Sequence, residues 1–145
     1  RHIGHVFRAL DCAAFFGAGA VAGRVVACLL DRRTAAITTI AFNPAREADG
    51  WREVALDAEA ARQTGFRHFG TSACTATFRD ELVVASGRPS VYAKGSAAFR
   101  FASGCGSKDW HRGVWRQLPD LNHARVGGAL VDVEGRLYAT GGVDE

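Results

Sequence analysis

The sequence predicts an all-β fold, and three observations carry that prediction. Short apolar runs rich in Val, Thr, Phe and Trp are divided by turns bearing Gly, Asp or Pro. A two-residue Glu134-Gly135 turn joins two alternating runs, which is hairpin grammar. The same strand pattern then returns along the chain. A helix would need an apolar stripe at three- and four-residue spacing, and the longest apolar run, Val25 to Leu30, has none.

Size and charge narrow the classes. The chain has 145 residues, room for one modest domain. Its formal net charge of +3 argues against a dedicated nucleic-acid binder, which concentrates far more basic charge. Val25 to Leu30 stops at Asp31-Arg32-Arg33, well short of the ~20 apolar residues that cross a membrane. The start lacks the basic, apolar, small-residue order of a secretion signal, so the expected location is cytoplasmic. There is no Met, even at position 1, and the expectation is a piece of a longer chain. Cysteines at 12, 28, 74 and 105 form no Cys-x-x-Cys pair, so free buried thiols in a reducing compartment are expected rather than metal knuckles. Two disulfides in an extracellular domain are the alternative that thiol titration would separate.

Taken in order, His5-Val-Phe-Arg-Ala-Leu10 is an aromatic-led short strand. Ala14 to Val21 and Arg24 to Leu30 are strand-like runs on either side of Ala22-Gly23. After the charged break at 31–33, the β-branched run Ala36 to Phe42 ends in an Asn43-Pro44 turn, and Trp51 to Leu56 follows. Residues 57–65 are Ala-, Glu- and Gln-rich, suiting one helical turn or a loop. The series restarts with Gly70 to Phe78, a charged turn at 79–81, and Leu82 to Gly87. Ala97 to Ala102 alternates around Phe99 and Phe101, and a Gly-Ser-rich turn precedes the strand at Trp115. Gly128 to Val133 and Arg136 to Thr140 close the series, ending at Gly141-Gly142.

Aligned, these runs repeat. Val6 to Leu10, Trp51 to Leu56 and Val114 to Leu118 agree as closing strands. Gly23 to Leu30, Asp80 to Gly87 and Gly135 to Gly142 agree as second strands, ending at 30, 87 and 142. Self-similarity at ~50 residues, with several short strands and one Trp per unit, is the pattern of a propeller blade.

On these residues the chain resembles a kelch-repeat β-propeller, most closely in residues 113–142. That family has a Gly-Gly doublet ending the second strand, a Tyr three residues before it, and a Trp opening the fourth. Arg125, Gly127, Gly135, Tyr138, Gly141 and Gly142 match in the last unit. The middle unit keeps Trp115 and Ser86-Gly87, with Val83 for the Tyr. The first keeps Trp51 and the Phe42-Asn43-Pro44 turn, but Leu29-Leu30 stands for the doublet. The resemblance implies a partial propeller of about three antiparallel four-stranded blades, where closure takes about six. Residues 1–10 would close a preceding blade, 11–56 and 57–118 (with insertions) would be blades, and 119–145 would begin another. Trp115, Tyr138 and the glycine pair would be packing residues between blades.

The resemblance also implies where partners bind: the connections after the second strand and before the first strand of each blade. Carried over by position, these include Arg32 and Arg33, Arg88 and Tyr92, His68, Asn122 and His123, and Asp144. Arginines and a tyrosine around a ring suit an acidic peptide or degron, because guanidinium forks match carboxylates. Many family members are substrate receptors joined through a BTB domain to a cullin-3 ubiquitin ligase; others bind actin. A BTB segment is not in this sequence.

Enzymatic readings are weaker. Kelch propellers include sugar oxidases and sialate epimerases, but a copper site needs Tyr, His and a Cys-linked Tyr. Only Tyr92 and Tyr138 are present, with Tyr138 in the packing position. The five histidines lack zinc-ligand spacing, and there is no Gly-x-Ser-x-Gly elbow, so no cofactor, metal or catalytic residue is assigned. Gly17-Ala-Gly19-Ala-Val-Ala22 fits a dinucleotide fingerprint, but Asp31 comes too soon after it and Val25 to Leu30 is strand-like.

Overall fold

A computed structural model describes residues 13–31, 37–56, 72–87, 98–103 and 112–143. These residues are all-β apart from one short 3-10 turn. The first sheet is an antiparallel meander of β1 (Ala13–Val21), β2 (Arg24–Asp31), β3 (Ile37–Phe42) and β4 (Trp51–Glu53), ordered in space as in sequence. Between β3 and β4 the chain makes a 3-10 turn over Pro44–Asp49, where the Asn43 side-chain oxygen accepts from the Ala45 N–H at 3.0 Å. Trp51 to Leu56, expected as one closing strand, divides instead. β4 ends at Glu53, Val54 turns inward, and β5 (Ala55–Leu56) leaves for the second sheet.

That second sheet is another antiparallel meander, of β6 (Cys74–Phe78), β7 (Glu81–Ala85), β8 (Ala98–Ser103) and β9 (Arg112–Leu118). β5 runs parallel to β9 along its outer edge, with Ala55 opposite Arg112 and Leu56 opposite Gly113. The third arrangement is the hairpin of β10 (Val126–Val133) and β11 (Arg136–Val143). No helix among the described residues is long and apolar enough to cross a membrane.

The repetition read from the sequence has a backbone counterpart. Each first hairpin closes on two residues with positive φ: Ala22 (49°) and Gly23 (73°), Arg79 (51°) and Asp80 (58°), Glu134 (50°) and Gly135 (74°). Left-handed conformation at both central positions is the turn whose twist suits a two-residue hairpin. At one offset beyond these turns lie Ser86 (62°) with Gly87 (103°), and Gly141 (66°) with Gly142 (85°). The half-doublet thus takes the full doublet's path. Leu29-Leu30 does not, because both residues are held in extended strand between Phe15 and Ala14 on one side and Thr38 and Ile37 on the other.

Face-to-face packing orders the three arrangements. Successive strand residues point to opposite faces, so Leu82 and Val84 of β7 join Phe99, Phe101 and Trp115 against the first sheet. Across that joint they meet Val21, Val26, Cys28 and Ala41. Val83, Ala85 and Ala98 point the other way, toward Leu130, Leu137 and Ala139 of the last hairpin. The second sheet is therefore a middle layer buried on both faces. β1 lies close to β6 because Gly19 has no side chain there; a Cβ would come within 2.7 Å of the Thr77 hydroxyl. That hydroxyl accepts from the Ala20 N–H at 3.0 Å. The segment once compatible with a dinucleotide loop and helix is the hairpin β1–β2.

Trp115, 2% exposed, fills the joint between the first two sheets as expected. Tyr138, expected to pack between blades, is instead 50% exposed. Its equivalents by position, Val26 and Val83, each face the next layer, whereas no further sheet covers the outer face of β10–β11 among the described residues. Cys28 and Cys74 are buried free thiols.

Candidate functional site

Of the loop residues predicted to meet partners, Arg32, Arg33, His68, Arg88, Tyr92 and Asp144 lie outside the described residues. Asn122 and His123 are exposed in the bend between β9 and β10. Nearby Arg125 is spent structurally: its guanidinium donates to the Gly141 carbonyl. Two backbone bonds tie this end of the hairpin to the second sheet. The Gly127 N–H donates to the Ser72 carbonyl, and the Gly87 N–H to the Arg125 carbonyl, both at 3.1 Å.

A concave site lies toward the other end of the hairpins, beside the turns at 79–80 and 134–135. It is a cleft of about 570 Å³ between the second sheet and β10–β11. Its floor is apolar: Phe78, Val83, Leu118 and Leu137. Arg79, Arg100, Arg136 and Glu81 supply its charge. Among the described lining residues, three guanidinium groups stand against one carboxylate, a net positive charge.

Local structure explains how these side chains converge. Register places Phe78 opposite Glu81 at the β6–β7 turn and Val83 opposite Arg100 on β8. Glu81 and Arg100 therefore stand on one face of adjacent strands, and the Arg100 Nη1 donates to the Glu81 Oε2 at 3.1 Å. The Arg100 Nε is buried and has no hydrogen-bond partner among the described residues. Arg79 stacks its guanidinium 4.9 Å from the Phe78 ring centroid and donates through Nη2 to the Gly135 carbonyl at 3.2 Å. This contact bridges the two hairpin turns. Arg136, next to Gly135 at the start of β11, is exposed and has no ion-pair partner among the described residues.

Among its described lining residues there is no Ser, Cys, His or Tyr, and the carboxylate of Glu81 is engaged by Arg100. The arrangement can hold an anion beside an apolar group. Among the described residues, no three His, Cys, Asp or Glu side chains gather as metal ligands.

Sequence reasoning passed over this cleft. Arg79 and Glu81 read only as part of a charged turn, and Arg100 carries no motif. One signal was present: Arg100 sits between Phe99 and Phe101, so the face opposite two core aromatics carries a charge. No protein-family model matches the chain, and no curated protein matches it significantly.

Proposed function

We propose that this chain is a segment of a kelch-type β-propeller that serves as a protein-interaction module, the substrate-recognition part of a cullin-3 ubiquitin-ligase adaptor. The observation that carries the fold is the stacking of repeated units in phase. Equivalent positions Val26 and Val83 each face the next layer, and the first strand of the second unit, β6, touches β1 on one side and β10 on the other. First strands kept adjacent while sheets stack face to face are what successive blades around an axis require.

The binding role draws support from a net-positive, apolar-floored cleft rather than a constellation of reactive groups. The adaptor role rests on the resemblance and needs a BTB segment in the full-length protein. Affinity capture with that protein tests it: cullin-3 should be recovered together with a substrate. Recovery of another protein without any cullin removes the adaptor role and leaves the module. Co-sedimentation with filamentous actin would point to the cytoskeletal branch of the family, and stoichiometric copper in the purified protein would overturn the binding reading in favour of an oxidase.

A further inference from the structure

We infer that the cleft between the second sheet and β10–β11 is a binding site for an extended acidic peptide, with an apolar side chain on the floor and carboxylates on Arg100 and Arg136. The inference rests on the interaction-module reading but moves the contact from the loops to the hairpin-turn end.

Shape and chemistry agree on this ligand class. A volume of about 570 Å³ is in the range of specific ligand sites. Phe78, Val83, Leu118 and Leu137 leave an apolar surface between charged walls, so the occupant needs an apolar group as well as negative charge. A free inorganic anion would leave that floor wet.

The arginines are unequally occupied. Arg79 is committed to the Gly135 carbonyl and the Phe78 ring, which positions the wall. Arg100 gives Nη1 to Glu81, but its Nε is shut from solvent with no partner among the described residues. A buried donor left unpaired is costly, and a guanidinium can donate to a second carboxylate along its Nε edge once its end rotates toward the cleft. Arg136 also lines the cleft, is exposed and has no ion-pair partner among the described residues, so it can take the next carboxylate. An acidic residue on each side of an apolar one meets both.

The probe is a short fluorescein-labelled peptide alternating Glu with Leu, titrated into the purified protein and followed by anisotropy. Saturable binding is expected, weakening as salt rises. Arg136→Gln and Arg100→Gln should each reduce affinity about tenfold or more, the loss of one charge-assisted hydrogen bond. Arg52→Gln on the first sheet, whose ion pair with Asp49 is remote from the cleft, should leave it unchanged. Circular-dichroism melts confirm that each variant is folded, and exposed Arg136 keeps the test valid if Arg100→Gln is not.

Absence of saturable binding overturns the proposal, as does equal binding of a peptide with Gln for Glu. Tighter capture of a peptide with phosphoserine for Glu overturns the carboxylate assignment. The two readings fail separately. If partner capture survives Arg136→Gln while the peptide does not bind, the cleft is wrong and the module stands. If the peptide binds as expected and no protein partner is ever captured, the adaptor role is wrong and the cleft stands.

Discussion

At Cys28, burial governs chemistry. The side chain is fully buried where the first two sheets meet, and this desolvation raises the thiol from 9.0 to about 12, against a smaller lowering by the Thr39 hydroxyl hydrogen bond. A raised pKa in the folded state means that folding favours the protonated thiol. Stability from this group is complete below pH 9.0 and declines as pH climbs from there toward about 12, because the unfolded chain ionises first. Unfolding free energies from urea titrations between neutral pH and about pH 10 should fall more steeply for the native protein than for Cys28→Ala, the difference approaching about 1.4 kcal/mol per pH unit. In the same window the folded protein should resist alkylation at this position, since only the thiolate reacts. The burial of Cys28 was legible in the sequence, within an uninterrupted apolar run. That it meets Thr39, and that Thr39 in turn meets Trp115, was not, because those partners come from other strands.

The repeated element is the first hairpin of each unit, and its turn chemistry differs from copy to copy. Glu134-Gly135 and Ala22-Gly23 supply one glycine each, whereas Arg79-Asp80 supplies none, yet all three pairs adopt positive φ. Ala22 is exposed and pays the usual penalty of a Cβ in the left-handed region. Ala22→Asn creates the preferred Asn-Gly pair and should stabilise the protein by about 0.5 to 1 kcal/mol, read as a higher thermal midpoint. Turn positions were readable from spacing alone, as were the strands beside them. The Arg79-Asp80 turn keeps poor turn residues in a place where Arg79 reaches Phe78 and Gly135, a contact between units that local pattern does not encode. For the same reason the cleft escaped the sequence, since Arg100 and Arg136 lie on strands of different units and acquire a shared environment only when those units stack.

Across the molecule, the joint between the first two sheets holds a buried polar contact within its apolar core. The Trp115 Nε1 donates to the Thr39 Oγ1 at 3.2 Å, and the Trp115 ring lies 5.1 Å from that of Phe101. Thr39→Val keeps the shape but removes the acceptor, and should destabilise the protein by about 1 to 2 kcal/mol in urea unfolding. Trp115→Ala, which empties the joint, should cost about 3 to 5 kcal/mol. The repetition of the strands was legible because equivalent positions carry equivalent apolar residues; the exposed outer face bearing Tyr138 and Val131 was not, since exposure depends on what stands opposite. The handover at Val54 has a kinetic side. Every antiparallel pairing in the first sheet joins neighbouring strands, so that sheet can assemble locally, while β5 must wait for β9, far along the chain, before Ala55 meets Arg112. Closing that long loop carries its entropy cost early and its reward late. Refolding should therefore seal the outer edge of β9 last, and the interval before it seals is when nascent chains would be most prone to pair with one another.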